Sequence, residues 1–348
     1  GTAKGLSITF TLHLPSLDRG DEFGPNPFGY TSRQVNLTDW HPFVPPFIDG
    51  EWLVHNPWYY GEHLVYPVAD YEAEIRVTNA PEGTEIAANA LDQGQGDVHI
   101  YNIKQARNFV WSVSPEYRVF QEDVDGVTLL GYGFPYDVEI GEAAFRATVE
   151  SFRLYNQLFG PYPHESLTMI QADFLHGMEY DGLYFLSKAF YNTYDGTPAT
   201  YLVAIAVHET AHQWWFGLVA NDQAVEPWLD EALCTYTELL YYENLHPEAL
   251  KWWWDYRVEY YEPQGWVDLT IFDAGGYRLY RDAVYLNGMK FLLELRTLVG
   301  EEVFAAFLQD YVKRNTNKIT NANDFFTILG EHSDVDWSQL KAKYFRLP

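Results

Sequence analysis

The feature that most constrains this chain is an HExxH pattern at residues 208–212, followed downstream by Glu231. Residues four apart lie on the same face of a helix, so His208 and His212 can both reach one metal ion. Glu231 falls on a second predicted helix and can supply a third ligand. Two imidazoles and a carboxylate are a typical donor set for zinc. The pattern therefore predicts one Zn²⁺ per chain, held by these three side chains, with a fourth position open for water.

The carboxylate inside the motif, Glu209, follows the first histidine and is placed to act on that water. Zinc lowers the pKa of a bound water toward neutrality. Glu209 can then take the proton as a general base and pass it to the leaving amine. An HExxH pattern can also arise by chance on an ordinary amphipathic helix, but the spaced Glu231 argues against chance. The motif predicts a zinc hydrolase with Glu209 as its base.

Length, charge and cysteine content narrow the function classes further. A chain of 348 residues favours two domains, and a formal charge of −27 disfavours nucleic acid and anionic lipid as partners. No apolar run approaches the roughly 20 residues of a membrane-spanning helix. Cys234 is the only cysteine, so no internal disulfide can form. A cytoplasmic location and an exported chain without its signal both remain open, as does the oligomeric state.

The first third of the chain has the alternating apolar residues and the turn residues of short β-strands. We expect strands at residues 7–14, 69–77, 108–113 and 127–132, with Asp125-Gly126 as a hairpin turn before the last of them. Many short strands with such turns predict a sandwich or a saddle-shaped sheet.

The period of the apolar positions becomes helical near residue 140. The expected elements after that point are a helix at 143–158 ended by Gly160, a strand at 167–172, a metal-binding helix from Pro198 to about Gly217, a helix from Pro227 to about Asn244, and further helices from Ala283 onward. The predicted fold class is α+β, with an all-β domain at residues 1–133 and a mainly helical domain at 134–348.

The zinc motif and its surroundings resemble the gluzincin aminopeptidases, the aminopeptidase N and leukotriene hydrolase family. Glu231 lies in the sequence Trp-Leu-Asp-Glu-Ala, where the family usually has W-L-N-E-G, so Asp230 and Ala232 depart from the pattern. The sequence Gly-Pro-Tyr-Pro at 160–163 is similar to the family's entry into the catalytic domain. The resemblance implies a shortened N-terminal sandwich or saddle-like domain, a thermolysin-like zinc-peptidase domain, and no C-terminal helical-repeat domain.

A second motif, His-Gly-Met-Glu-Tyr, ends at Tyr180 and lines up with the family's G-A-M-E-N. In the family this segment is an edge strand that pairs with an extended peptide, and its Glu binds the α-amine of the substrate. The resemblance implies that Gly177, Met178 and Glu179 bind substrate, and that the substrates are peptides with a free N-terminus. His176 and Tyr180 depart from the motif and leave the preferred first residue open.

Two tyrosines complete the resemblance. Tyr285 matches by position the family's tyrosine that donates its hydroxyl to the tetrahedral oxyanion, where a hydrogen bond stabilises developing charge. Tyr280, five residues earlier, matches its partner and is expected to bind substrate. Gln34 or Asn36 matches an N-terminal residue that helps to hold the α-amine.

The resemblance predicts a zinc-dependent aminopeptidase that releases N-terminal residues from peptides. Two alternatives remain open. The same zinc site could serve a metallo-endopeptidase or an epoxide hydrolase. The chain could also be a non-catalytic scaffold of this fold that binds peptides.

Overall fold

Helices and strands both contribute to the fold in the residues that the computed structural model describes, 5–17, 27–48, 50–175 and 177–346. The strands are β1 (Gly29–Tyr30), β2 (Val35–Leu37), β3 (Phe47–Ile48), β4 (Glu51–Trp52), β5 (Ala69–Ile75), β6 (Glu85–Ala88), β7 (His99–Ala106), β8 (Trp111–Ser114), β9 (Arg118–Val124), β10 (Val127–Gly133), β11 (Ser166–Gln171), β12 (Met178–Tyr180), β13 (Leu183–Leu186), β14 (Val219–Asn221) and β15 (Lys318–Thr320). The α-helices are α1 (Val138–Phe159), α2 (Lys188–Tyr191), α3 (Tyr201–Ala211), α4 (Trp228–Leu245), α5 (Leu250–Trp252), α6 (Tyr277–Arg281), α7 (Gly288–Val299), α8 (Glu301–Asn315), α9 (Ala322–His332) and α10 (Ser338–Tyr344). The predicted mixture of helices and sheets is confirmed.

Small antiparallel sheets form the first part of the chain. One has the strand order β1-β2-β8-β6, β5 pairs with β7, and β3 and β4 form a hairpin. The strands predicted at 69–77 and 127–132 are confirmed as β5 and β10, whereas the strand predicted at 108–113 begins only at Trp111. Asp125 and Gly126 both have positive φ, 53° and 87°, which is the backbone of a two-residue hairpin turn.

The strand predicted at 7–14 is wrong. Residues 7–14 form no strand, and Ile8, Phe10 and Leu12 have exposed side chains. An alternating pattern becomes a strand only where a neighbouring strand satisfies its backbone groups. In the described part of the chain, no strand pairs with this segment.

A five-stranded sheet in the order β12-β13-β11-β10-β9 connects the two parts of the chain. β10 and β11 are parallel and joined through α1, and β12 forms an edge because it pairs only with β13 in the described chain. The sheet contains strands from both sides of residue 133, so the division into domains 1–133 and 134–348 stays a prediction.

The largest hydrophobic cluster packs α1, α3, α4, α7 and α8 together. α1 ends at Phe159 and Gly160 follows with φ 106°, as predicted for a glycine helix stop. α3 is buried on nearly every side, which explains why its sequence is apolar all round. α4 begins directly after Pro227, also as predicted. Within the described residues, no helix is long and apolar enough to cross a membrane.

The metal-binding helix is shorter than predicted. α3 ends at Ala211, and His212 is its C-cap, whereas the sequence pattern placed the end at about Gly217. Residues 213–218 form a wider turn with two non-helical residues. Arg107, from the connection between β7 and β8, donates hydrogen bonds of 3.0–3.1 Å to the last three carbonyl oxygens of this turn. The turn therefore satisfies its carbonyl groups through a distant side chain rather than through a continued helix.

Candidate active site

The three predicted zinc ligands converge between α3 and α4. Nε2 of His208 lies 3.2 Å from Oε2 of Glu231, and Nε2 of His212 lies 3.6 Å from the same oxygen. One donor atom of each residue lies within 4.8 Å of the other two, and all three side chains are buried. The structure therefore brings together two nitrogens and one oxygen, the donor set that suits Zn²⁺.

The outward nitrogens of the two histidines have their own acceptors. Nδ1 of His208 lies 2.7 Å from Oε1 of Glu238, and Nδ1 of His212 lies 3.4 Å from the carbonyl oxygen of Trp215. An acceptor at Nδ1 favours the tautomer in which Nε2 carries a lone pair, which is the form that binds a metal. The orientation of both rings thus fits a zinc site.

Glu238 is a buried carboxylate that sequence reasoning missed. Besides His208, it accepts hydrogen bonds from Trp253 Nε1 at 2.9 Å and from Arg257 Nε and Nη2 at 3.0 and 2.7 Å. Burial alone would raise its pKa, but the charge of Arg257 and the hydrogen bond with His208 outweigh burial and lower it. The missed signal is spacing, because Glu238 lies two helical turns after Glu231 on the same face of α4.

Glu209 is buried, and its Oε2 has no hydrogen-bond partner among the described residues. Burial raises the pKa of this carboxyl group to about 8, although His212 and His208 oppose the shift. A Cβ added at Gly177 would lie 3.1 Å from Oε1 of Glu209, so this glycine allows the backbone to approach the carboxyl group. A buried carboxyl group with a free oxygen has the properties of a group that exchanges protons with a ligand.

Tyr285 lies against the candidate metal site, and Tyr280 lies behind it. The Tyr285 hydroxyl donates a hydrogen bond to Oε1 of Glu231, and its ring stacks on His208 with centroids 5.9 Å apart. Tyr280 packs edge-on against Tyr285 at 5.8 Å, is fully buried, and is not among the residues that line the cleft. Tyr280 thus packs behind Tyr285, and its role in substrate binding stays a prediction.

Four carboxylates that we call the cleft cluster, Glu62, Glu179, Asp230 and Glu231, meet beside the candidate metal site. Carboxylate oxygens of Glu62, Glu179 and Glu231 lie within 4.8 Å of one another, and Glu179 and Asp230 lie as close to His212. One oxygen of Glu62 and one of Asp230 have no partner in the described structure. Burial and the neighbouring carboxylates raise the pKa of both groups. Glu231 is paired with both histidines, whereas the carboxylates beside it are incompletely paired, and such incompletely paired carboxylates favour a bound cation.

The second predicted motif contributes to the same cleft. Gly177, Met178 and Glu179 all line it, and Glu179 accepts a hydrogen bond of 3.0 Å from Nε2 of Gln223. The segment 178–180 is the edge strand β12. His176 lies outside the described residues.

The part of the chain before residue 134 lines the cleft with residues 59–62, which are not those that the sequence suggested. Gln34 is buried and bonded to Tyr117, Gln171 and the backbone of Asp173, and neither Gln34 nor Asn36 lines the cleft. Glu62 lines it instead. It lies in the irregular segment between β4 and β5, where no motif marks it.

Comparison with known proteins gives matches over the same part of the chain. The profile described as "Peptidase family M1 domain" matches residues 143–344. Aminopeptidase M1 of Arabidopsis thaliana is 25% identical over 236 residues, which are 63% of this chain and 27% of the plant protein. Aminopeptidase N of Streptomyces lividans is 28% identical over 244 residues, which are 64% of this chain and 28% of the bacterial protein. The matched regions thus span about a quarter of the length of these relatives.

Proposed function

The chain belongs to peptidase family M1, and from this membership and the geometry of the cleft we propose that it is a zinc-dependent aminopeptidase. The observation that carries the proposal is the position of Glu62, Glu179 and Asp230, directly beside His208, His212 and Glu231. A metal-ligand set supports hydrolysis in general. A group of buried carboxylates next to it supports hydrolysis at an N-terminal ammonium group.

The histidines of α3 and Glu231 would hold one Zn²⁺, which when bound polarises a carbonyl group and lowers the pKa of water. Glu209 accepts the proton of the attacking water at its free oxygen and delivers it to the leaving amine. Its unpartnered Oε2 supports this role, because no other hydrogen bond must break first.

Tyr285 stabilises the oxyanion of the tetrahedral intermediate. Burial and the charge of Glu231 raise the pKa of its phenol, so the hydroxyl keeps its proton and can donate it in a hydrogen bond. The Tyr285 hydroxyl, which donates to Glu231 in this structure, donates instead to the oxyanion in the transition state, where negative charge develops.

The cleft cluster holds the α-amine, with Glu179 as its main anchor. A carboxylate at a fixed distance from the hydrolytic site selects the first residue of the peptide, because only an N-terminal ammonium compensates it. Among the described residues β12 pairs only with β13, and Met178 and Glu179 of β12 line the cleft, so an extended peptide can pair with the other edge of β12 without a sequence requirement. The substrates are therefore peptides with a free N-terminus.

The finer fold assignment belongs to the same proposal. Residues 134–348 form a thermolysin-like peptidase domain, and residues 1–133 form an N-terminal sandwich or saddle-like domain that contributes Glu62 to the cleft.

A panel of aminoacyl amides, measured with and without a chelator, tests the proposal. We expect release of the N-terminal residue that chelation abolishes and added Zn²⁺ restores. A zinc-loaded protein that leaves all amides and unblocked peptides intact would overturn it. Equal cleavage of N-acetylated and free peptides would favour an endopeptidase. A protein that takes up no zinc would favour a peptide-binding scaffold.

A further inference from the structure

The cleft carries opposite charges in two separate places. It has a volume of about 420 Å³, within the range of roughly 300–1,000 Å³ for small-molecule sites. The cleft cluster supplies its negative charge, and the arginines Arg257 and Arg281 supply its positive charge. The charges that act most on Glu62 and Glu179 come from other carboxylates and from His212, not from either arginine.

A series of contacts places Arg257 on the far side of His208 from the cleft cluster. Glu231, a member of the cluster, faces Nε2 of His208 at 3.2 Å. Glu238 bonds Nδ1 on the other edge of the ring at 2.7 Å, and Arg257 bonds Glu238. The candidate hydrolytic site therefore lies between the carboxylates and this arginine.

Arg281 belongs to the same positive region. Tyr201, which lines the cleft, has both Arg257 and Arg281 among its electrostatic neighbours. The guanidinium of Arg281 stacks on the ring of Tyr261 at 3.7 Å. Arg281 also precedes Tyr285 by four residues in one helical segment, so both side chains can project from the same face.

Arg281 belongs to a group of three charged residues whose net charge is positive. Its Nε, at 3.0 Å, and its Nη2 both bond Oδ1 of Asp282, and Asp282 also faces the exposed Arg278, whose Nε lies 3.5 Å from Oδ2. One carboxylate thus serves two guanidinium groups, and one positive charge remains in excess. Arginine binds carboxylates in a planar, two-pronged geometry, so this excess fits a carboxylate ligand.

We propose that Arg281 binds a carboxylate of the substrate one residue beyond the scissile bond. The inference rests on the proposed function, which sets the N-terminal amine at the cleft cluster. Two sources have this chemistry, namely the C-terminal carboxylate of a dipeptide and the side chain of an acidic second residue. The preferred substrates are then short or acidic peptides, bound at both ends by opposite charges.

Four peptides with one common first residue, the best in the amide panel, distinguish these sources. The second residues are Ala with a free carboxylate, Ala-amide, Asp-amide and Asn-amide. We expect kcat/KM to favour the carboxylate in at least one pair, Ala over Ala-amide or Asp-amide over Asn-amide, by about 10- to 100-fold. A preference in the first pair identifies the terminus, and one in the second identifies the side chain. Equal values within both pairs would overturn the inference and leave the aminopeptidase assignment intact.

Variants in α6 locate the preference. Arg281→Gln should bring the ratio within the favoured pair toward 1, and Arg281→Lys should keep part of it. Arg146→Gln is the matched control, because it removes an exposed guanidinium of α1 that does not line the cleft and should keep the ratio. An unchanged ratio in Arg281→Gln would overturn the inference. Calorimetry on the Glu209→Gln protein measures the affinity for the same four peptides without cleavage. A preference for the carboxylate can therefore be detected even if the variant has no catalytic activity.

Discussion

Two groups of buried charged residues in this molecule differ in how completely they are paired. The first, which we call the Arg107 cluster, consists of Arg107, Asp181 and His164. The Arg107 side chain donates to five carbonyl oxygens, and Asp181 accepts from the Arg107 backbone at 2.8 Å and from His164 at 2.9 Å. In the cleft cluster, Glu179, Asp230 and Glu231 are buried and Glu62 is partly buried, but Glu62 and Asp230 each keep an oxygen without a partner in the described structure.

The pKa directions follow the pairing. Burial opposes ionisation in both groups, but His164 and Arg107 outweigh it and lower the pKa of Asp181. In the cleft cluster, burial and nearby carboxylates dominate and raise the pKa of Glu62 and Glu179. A satisfied buried network contributes to stability, whereas an unsatisfied one is typical of a ligand site. Substitutions should therefore affect the two groups in opposite ways.

The largest effect is expected beside the cleft cluster, at Glu209. Glu209→Gln removes the proton acceptor and should lower kcat on aminoacyl amides by about 10²- to 10⁴-fold. The free energy of unfolding should not fall, because the carboxyl group has a free oxygen and little to lose. Steady-state kinetics and urea unfolding of the same preparation check both statements. A large loss of stability in Glu209→Gln would contradict the view that this residue serves catalysis rather than the stability of the fold.

The opposite result is expected for Arg107→Ala. The change removes the donor to five carbonyl oxygens and one of the two cations that lower the pKa of Asp181, so the free energy of unfolding should fall by about 3–5 kcal/mol. Arg76→Ala is the control, because Arg76 and Glu74 form an exposed pair. This variant should change the free energy of unfolding by about 0.5 kcal/mol or less. Urea unfolding measures both. Similar values for the two variants would show that the Arg107 cluster is not a stabilising network.

The pairing of His164 with Asp181 predicts a pH-dependent effect. Burial alone would lower the pKa of His164, but Asp181 outweighs it and raises the pKa above 6.5. The pair therefore stabilises the fold fully below pH 6.5 and loses this contribution as the pH rises through the folded-state pKa, while Asp181 stays charged. His164→Gln should cost roughly 1.5–3 kcal/mol near pH 6 and less near pH 9. A cost that does not change with pH would contradict the assignment.

A smaller effect is expected at Gly177, where the cleft leaves little space. The added Cβ of Gly177→Ala would lie 3.1 Å from Oε1 of Glu209 and must displace it by a few tenths of an ångström. A shift of this size should lower kcat by roughly tenfold. Gly330→Ala is the control, because its Cβ would make an ordinary contact of 3.6 Å with Trp337. Equal kcat values in both variants would mean that the position of Glu209 is not critical.

The convergence of His208, His212 and Glu231 could be predicted because local periodicity determines it. A spacing of four residues sets the two histidines on one helical face, and Glu231 lies in the first turn of α4. The same helical periodicity places Glu238 two turns after Glu231 on the same face of α4. Glu62 could not be found in this way, because its approach to Glu179 depends on how an irregular segment packs against an edge strand over a long sequence separation.

The end of α3 and the first segment of the chain show the same limit. The apolar pattern continues past His212, but Arg107 from a distant connection takes the carbonyl groups of the next turn. The alternation at residues 7–14 predicted a strand, yet no described strand pairs with it. Patterns in sequence record which faces are apolar, whereas helix ends and strand pairing depend on backbone partners elsewhere in the chain.

The most direct test of the central claim compares a free peptide with its N-acetylated form on the zinc-loaded protein, in the natural chain and in Glu179→Gln. A site built around an ammonium group should prefer the free peptide by at least about 10³-fold in kcat/KM, because acetylation leaves buried carboxylates without a cation. Glu179→Gln should reduce this preference. Comparable kcat/KM values for the two peptides in the natural chain would contradict the account.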